Sequence, residues 1–425
     1  MLAIAALTVS AVPAQALNPN MAGDPGVTAT TIKLGITSPL TGIAAPGYKK
    51  IPGAMKAYFD YVNANGGVNG RKITLVSKDD QYIPTTAVAK ANELILRDKV
   101  FALVGTLGTA STKAISASTQ LSKRGIPSLF VNTGFSGFAD KKAYPTTFSI
   151  LPSYQMEAKI MAKYIKDKYA GKKLALIYQD DDFGRDALAG FKTAGLTFET
   201  YIPYASGAQG LPATAPGWVT KVVAAKSDVT VMFGVSSATT ALLNAAFRGG
   251  LFGKTQFVLG SVGGDATTIA NTSPALVPLL TGAKGFSFAP APTDTTDEYI
   301  KLFQTIYAAA QPKETFDNNV VAGMSNAFLA VQAIKAAGPN LTRAGLIKVI
   351  ETKGATLASP FLTPLGYSAT SHVGATGYWV GTYGSIGALT PDGGKYTVYT
   401  TDSGTGPVVE STYKRPAMPA KGLPN

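Results

Sequence analysis

An α/β fold built from two successive units is the architecture this chain predicts. Short apolar runs alternate with helix-length segments whose apolar residues recur at three- and four-residue spacing. The alternation runs once from about residue 31 to 131 and again from about 153 to 260. Such βαβ order implies parallel strands, because their crossovers lay helices over the sheet faces. No near-identical sequence repeat accompanies the second series, so only the order of elements relates the two.

The first strand is the apolar run 32–36. Ile51, Ala54, Met55, Tyr58, Phe59 and Val62 then mark one face of a helix, and Gly66-Gly67 ends it with the backbone freedom a C-terminal cap needs. Residues 72–77 form the next strand, 85–98 a helix carried by Val88, Ala91 and Ile95, 100–105 a strand, 111–124 a helix and 126–131 a strand. The second series reads as helices at 153–169, 183–195, 216–226 and 236–248, with strands at 173–179, 198–204, 229–234 and 255–260. After 284–289 come helices at about 295–310, 317–337 and 341–352. The region 360–402 turns rich in Gly, Thr and Tyr. Its alternation around Tyr378-Trp379-Val380 and the turn signal Pro391-Asp392-Gly393-Gly394 predict hairpin strands. Residues 403–425, with several prolines and little periodicity, are expected to be a flexible tail.

A chain of 425 residues is long enough for two domains, and 46% hydrophobic with 15% charged residues is globular composition. The formal charge is +13, but no block of five like charges occurs. That argues against a nucleic-acid tract and for a basic surface on an exported protein. The absence of cysteine excludes disulfides, thiol nucleophiles and thiolate metal sites. A single histidine, His372, excludes histidine clusters; it is expected to be solvated or to make a hinge hydrogen bond. No G-x-S-x-G, G-x-G-x-x-G or G-x-x-x-x-G-K-[ST] motif occurs, which disfavours hydrolase, dinucleotide and nucleotide-phosphate chemistry. No run of 18 apolar residues predicts a membrane span. The apolar start ending in Ala14-Gln15-Ala16 reads as the late part of a secretory signal without its basic n-region, so 1–27 is taken as a signal-like segment.

Four motifs carry a resemblance. They are Ser38-Pro39-Leu40-Thr41-Gly42, Gly53-Ala54, the run from Asn63 through Gly66-Gly67-Val68-Asn69-Gly70 to Ile73, and Lys78-Asp79-Asp80-Gln81. Over roughly 28–400 the chain resembles the type I periplasmic solute-binding proteins of ABC transporters, specifically the leucine/isoleucine/valine-binding group. The resemblance implies a two-lobed periplasmic-binding-protein type I fold. Each lobe would be a doubly wound, mostly parallel sheet, with three hinge crossovers and a ligand between closing lobes. The crossovers are expected near Thr147, near Phe286 and within 355–375. Lobe 1 is then 28–146 with 287–355, and lobe 2 is 148–285 with 356–402.

Open α/β sheets bind ligands at the carboxyl ends of their strands, where helix N-termini present free amides. The loop 105–112 is such a place, and the resemblance implies that Leu107, Gly108 and Thr109 hold a ligand carboxylate. Helix capping by Thr109 or Ser111 is the structural alternative. Asn132 and Thr133 occupy the second strand-end loop, and an ordinary turn is the alternative there. From the other lobe, Phe183 matches an aromatic that covers the ligand in relatives, Tyr154 is a further aromatic candidate, and Ser236 falls where many amino-acid binders carry an aromatic. The run Asp180-Asp181-Asp182 lacks EF-hand spacing, so no metal is expected. Amino-acid binders of the group place a carboxylate where this chain has Val262. Either Asp265 substitutes from a shifted position, or the ligand has no ammonium; the second is preferred, because an unpaired buried ammonium is costly.

The function expected is that of an exported, non-catalytic receptor in the periplasm or on the cell-envelope exterior. It would capture a small carboxylate- or amide-bearing, amino-acid-like ligand and deliver it to an ABC permease. No cofactor and no nucleic acid are expected, and the protein should be a monomer. The alternative is a ligand sensor of the same fold controlling a partner protein.

Overall fold

The structure is a computed structural model that describes residues 23–207, 210–385 and 387–424. Residues 1–22 of the signal-like segment lie outside the described residues. Among the described residues, fourteen strands form two sheets. The first contains β1 (Thr31–Ser38), β2 (Lys72–Asp79), β3 (Ala102–Val104), β4 (Ser128–Val131) and β5 (Thr147–Ser149), in the order β2-β1-β3-β4-β5 and parallel throughout. The second begins with β6 (Leu174–Gln179), β7 (Thr200–Tyr204), β8 (Val229–Phe233), β9 (Gln256–Leu259) and β10 (Lys284–Ser287). It continues with β11 (Gly377–Tyr383), β12 (Leu389–Pro391), β13 (Val398–Thr400) and β14 (Val409–Glu410). Its order is β14-β13-β11-β10-β9-β8-β6-β7, with β12 also on β11. The strands from β6 to β10 are parallel, and the C-terminal hairpins add antiparallel strands.

A parallel sheet is buried on both faces, and β1 shows how the sequence meets that demand. Ile32, Leu34 and Ile36 face a core shared with the helices Lys50–Ala64, Glu298–Ala310 and Asn318–Ala337. Gly35 points the other way, where a Cβ would lie 3.1–3.2 Å from Val100 and Leu94. The helix Asn318–Ala337 is long and apolar enough to cross a membrane, yet most of it is buried in this core. Gly323 lets it approach the helix Lys50–Ala64 closely, since a Cβ there would sit 2.5 Å from the Ile51 carbonyl oxygen.

Most expected helices and strands appear within a few residues of their bounds, but β5 and the helix Ala266–Thr272 escaped the sequence pattern, the helix expected from 216 starts at Leu211, and the hairpin strands expected over 360–402 begin only at Gly377. One departure is the helix expected at 85–98: it is α-helical over Pro84–Asn92 and then widens into a π-helical turn, Glu93–Arg97. Another is the helix expected from 111, which starts at Thr109, directly after Gly108 in left-handed backbone (φ 94°).

The chain leaves the first core for the second between Ile150 and Tyr154, returns between Phe286 and Tyr299, and leaves again between Ala375 and Tyr378. Phe361, Leu365, Tyr367 and Ala375 belong to the first core, so 356–375, assigned from sequence to lobe 2, packs on the first sheet's side instead. The reason is aromatic packing at long range. Tyr367 stands against Phe130 and Phe148 and donates to the Ser149 carbonyl at 2.6 Å. His372 joins this hinge with no exposed surface. It stacks on Phe148 at 3.9 Å, with Nδ1 3.0 Å from the Thr147 carbonyl and Nε2 3.2 Å from Glu351. Burial pushes its pKa below the ordinary value.

The segment expected to be a flexible tail is held down. Besides β14, Arg415 pairs with Asp297, donates to the Pro360 carbonyl at 2.7 Å and lies over the Tyr299 ring. Tyr58 donates to the Gly422 carbonyl at 2.5 Å. Single anchoring side chains of this kind leave no periodic trace in sequence. The Asp297 side chain is nearly enclosed and also caps the helix Glu298–Ala310, so Arg415→Ala, which removes its charged partner, should cost about 2 kcal/mol of unfolding free energy. Urea denaturation measures this, and a change within about 0.5 kcal/mol, the usual range for surface substitutions, would show that the tail contributes nothing.

Candidate functional site

A cavity of about 170 Å³ lies between the two sheets and takes its walls from both. On the first-sheet side, β3 ends and the chain turns through Leu107 and Gly108 into the helix Thr109–Ser118. The first N–H groups of a helix have no intrahelical acceptor and carry partial positive charge. Gly108 is required twice over: its φ is left-handed, and a Cβ would stand 2.8 Å from the Tyr82 ring. Tyr82 is aimed there by unusual backbone. Gln81 and Tyr82 both hold left-handed φ (56° and 62°), fixed by N–H bonds to the side chains of Asp79 (3.0 Å) and Asp80 (2.9 Å). Burial pushes the Asp80 carboxyl up to about 6. The Lys78-Asp79-Asp80-Gln81 motif thus positions an aromatic wall. Asp79 also accepts from Leu40 N, Thr41 N and Thr41 Oγ1, because the β1–β2 register sets Ser38 opposite Asp79.

Leu107, Gly108, Thr109, Asn132, Tyr154, Phe183, Val262 and Asp265 all line the cavity. Thr133 and Ser236 do not; they stand behind it. The Thr133 hydroxyl lies 2.7 Å from that of Thr109 and within hydrogen-bonding reach of Tyr154, so it connects a wall residue of each side. Ser236 donates to the Val262 carbonyl at 3.3 Å. Tyr48 donates to the same carbonyl from across the cleft at 3.1 Å, and burial pushes its hydroxyl up to about 12. Asn132 donates to the Gly105 carbonyl at 2.8 Å, which ties the two strand-end loops together. Phe183 sits at the start of its helix, with its N–H on Asp181, and packs edge-on to Tyr154 at 4.6 Å.

Asp265 is the one charged side chain among the described residues of the cavity wall. It caps the helix Ala266–Thr272 by accepting from Thr267 N (3.1 Å) and also accepts from Thr268 Oγ1 (2.5 Å). Across the cleft it accepts from Asn318 (3.2 Å) and Asn319 (2.6 Å). Both carboxylate oxygens are therefore engaged by the protein. The Asp180–Asp182 run is engaged as well: Asp180 pairs with Arg185, Asp181 caps a helix, and Asp182 pairs across the cleft with Lys113.

Sequence reasoning missed Tyr48, Tyr82, the aromatic walls Phe288, Phe361 and Trp379, and one supporting acid, Glu157. Glu157 has no exposed surface, and its signal in the sequence is an acid on the buried face of an amphipathic helix. It accepts from Ser261 N at 2.6 Å and Ser261 Oγ at 3.0 Å, holding the loop that carries Val262. Burial raises its carboxyl from 4.5 to about 7. A raised carboxyl pKa means that the native state binds the proton more tightly than the unfolded state. Stability from this group is then full below about pH 4.5 and lost as pH rises through about 7. Glu157→Gln should gain on the parent protein across that window by about 3 kcal/mol, at 1.36 kcal/mol per pKa unit. Denaturation curves between these pH values measure the difference, in which Asp80 and Asp317, also raised, cancel. A difference independent of pH would show that Glu157 does not titrate there.

Comparison with known proteins agrees with this architecture. Residues 31–399 match the family model described as periplasmic binding protein. A Leu/Ile/Val-binding protein homolog from Brucella melitensis is 30% identical over 323 residues, covering 74% of this chain and 79% of that protein. Among solved structures, a fatty acid ABC transporter substrate-binding protein from Thermomonospora curvata aligns with a TM-score of 0.76 over 90% of this chain and 95% of its own, at 24% identity. A branched-chain amino acid ABC transporter protein from Thermus thermophilus with bound valine aligns with a TM-score of 0.76 over 88% and 97%, at 19% identity. At such identities these two structures speak for the fold. With the family match spanning both sheets and the cavity between them, the chain belongs to the type I periplasmic binding proteins of the Leu/Ile/Val-binding family.

Proposed function

We propose that this protein is an exported, monomeric receptor that closes on a small organic acid lacking an ammonium group and delivers it to an ABC permease, without catalysing a reaction. The observation that carries the reading is the state of Asp265. The cavity wall offers one carboxylate, and four protein donors already occupy it. By the family resemblance, Val262 stands where amino-acid binders of the group supply an anion. A ligand ammonium would be buried without a partner, at a cost of several kcal/mol. A carboxylate finds the opposite: N–H groups at the start of the helix Thr109–Ser118, the Thr109 hydroxyl, and the buried hydroxyl of Tyr154. Leu107, Gly108 and Asn132 shape that end, and Phe183 and Val262 cover the ligand from the other side. Thr133 and Ser236 act through Thr109 and Val262. The names of the relatives divide between branched amino acids and a fatty acid, and the two readings part at the ammonium.

A thermal-shift panel on ligand-stripped protein tests the proposal, because a ligand that binds only the native state raises the melting temperature. Aliphatic and aromatic acids should raise it, while leucine and valine should not; a shift with the amino acids alone overturns the reading. Thr109→Ala should weaken the best acid about tenfold, the order of a hydrogen bond to a charged group, and Thr109→Ser should retain it. Titration calorimetry reads both, and unchanged affinity in Thr109→Ala removes that loop from the site.

A further inference from the structure

We infer that the ligand is a monocarboxylic acid with an extended apolar tail, which lies in a second chamber of the same cavity, walled by Phe286, Phe288, Phe361, Trp379 and Leu389. This rests on the acid reading of the polar end. The cavity does not stop at Tyr154 and Phe183 but continues to the chain crossings, where 286–289, Phe361, Trp379 and 387–389 meet. Phe288 stands edge-on to Phe361 (5.0 Å) and to Tyr378 (5.8 Å), which makes a fixed aromatic wall. Two polar groups beside this wall are already paired within the protein. Trp379 Nε1 donates to the Ala289 carbonyl at 2.9 Å, and Ser287 Oγ donates to the same oxygen at 3.2 Å. An apolar chamber of this kind holds water poorly and favours hydrocarbon.

The extent of the wall and its charge point the same way. The lining runs from Leu107 and Gly108 at the polar end to Phe361, Trp379 and Leu389 at the other, so apolar wall continues beyond the place a head group would occupy. No lysine, arginine or histidine lines the described wall, so a second anionic group at the far end would find no counter-charge. One anionic head and an uncharged tail satisfy both ends of the space.

Titration calorimetry of the stripped, full chain with straight-chain monocarboxylates from butanoate to decanoate tests this. The dissociation constant should fall about fourfold per added methylene until the chamber is full, and the heat-capacity change should grow more negative with length. Ala289→Phe, which fills the chamber, should abolish the gain for the long acids and leave the short acids as they were. Phe288→Leu, a milder change that enlarges the space, should move the optimum to longer acids and serves if the first variant does not fold. Short acids that bind with no dependence on length would overturn the chamber and leave the acid reading intact. Leucine binding with no acid binding would overturn the acid reading and the chamber with it, as would no binding by any of these compounds.

Discussion

The carboxylate of Asp265 accepts hydrogen bonds from four groups, two on its own side and two from Asn318 and Asn319 across the cleft. Much of the site follows from that one commitment. A buried carboxylate needs all the donors it can find, and here the nearest ones belong to the start of the long core helix of the other half. The result is a polar contact between the halves at one flank of the cavity. Lys113–Asp182, and Ser136 with Asp186, make further contacts across the cleft. The same commitment leaves the cavity without a free anion, so one side chain shapes both the closure of the protein and the chemistry of what it encloses.

The interior of the cleft is a seam between two hydrophobic cores. Tyr82, Leu151, Val262 and Phe288 each pack partly against both cores, and all four line the cavity. They stand near the places where the halves touch or the chain crosses, so the seam cannot be filled by either half alone. Behind it, Phe148, Tyr367 and His372 stack around the end of the first sheet and fix the crossings. The aromatic hinge and the cavity in the seam are consequences of one topology. A chain that passes repeatedly between two cores collects aromatics at its crossings and leaves the strand ends facing each other.

Much of this was legible in sequence because it is local. Strand and helix periods, the glycines at 66 and 67, and the loop around Gly108 are patterns within a dozen residues. The cleft residues Leu107, Thr109, Asn132, Tyr154 and Phe183 were reachable because strand-end loops announce themselves. What was not legible depends on distance in sequence. Trp379 joins the wall through a β10–β11 pairing that brings it opposite Ser287. Tyr48 reaches Val262 over more than two hundred residues. Residues 356–375 were placed with the wrong sheet because Gly- and Thr-rich sequence reads as hairpin whichever core it covers. Thr133 and Ser236 were read as touching ligand, yet their short side chains hold other residues in place, a distinction that type and position alone do not make.

The two kinds of contact across the cleft differ in what they ask of a ligand. The polar contacts at the flanks exchange hydrogen bonds with water when the halves part, so each contributes only about 1–3 kcal/mol to closure. They are contacts of the protein with itself, and a ligand can shift the closed population only through interactions it makes in that state and not in the open one. The apolar seam supplies that difference. Its surfaces lose little by opening while the cavity is unfilled, since unfilled space offers no dispersion contacts to forfeit. Once a hydrocarbon occupies it, opening exposes both the ligand and the walls to water. On the proposed reading, the coupling between binding and closure lies in the apolar part of the cavity, whereas the helix N-terminus and Thr109 act mainly on which head group enters.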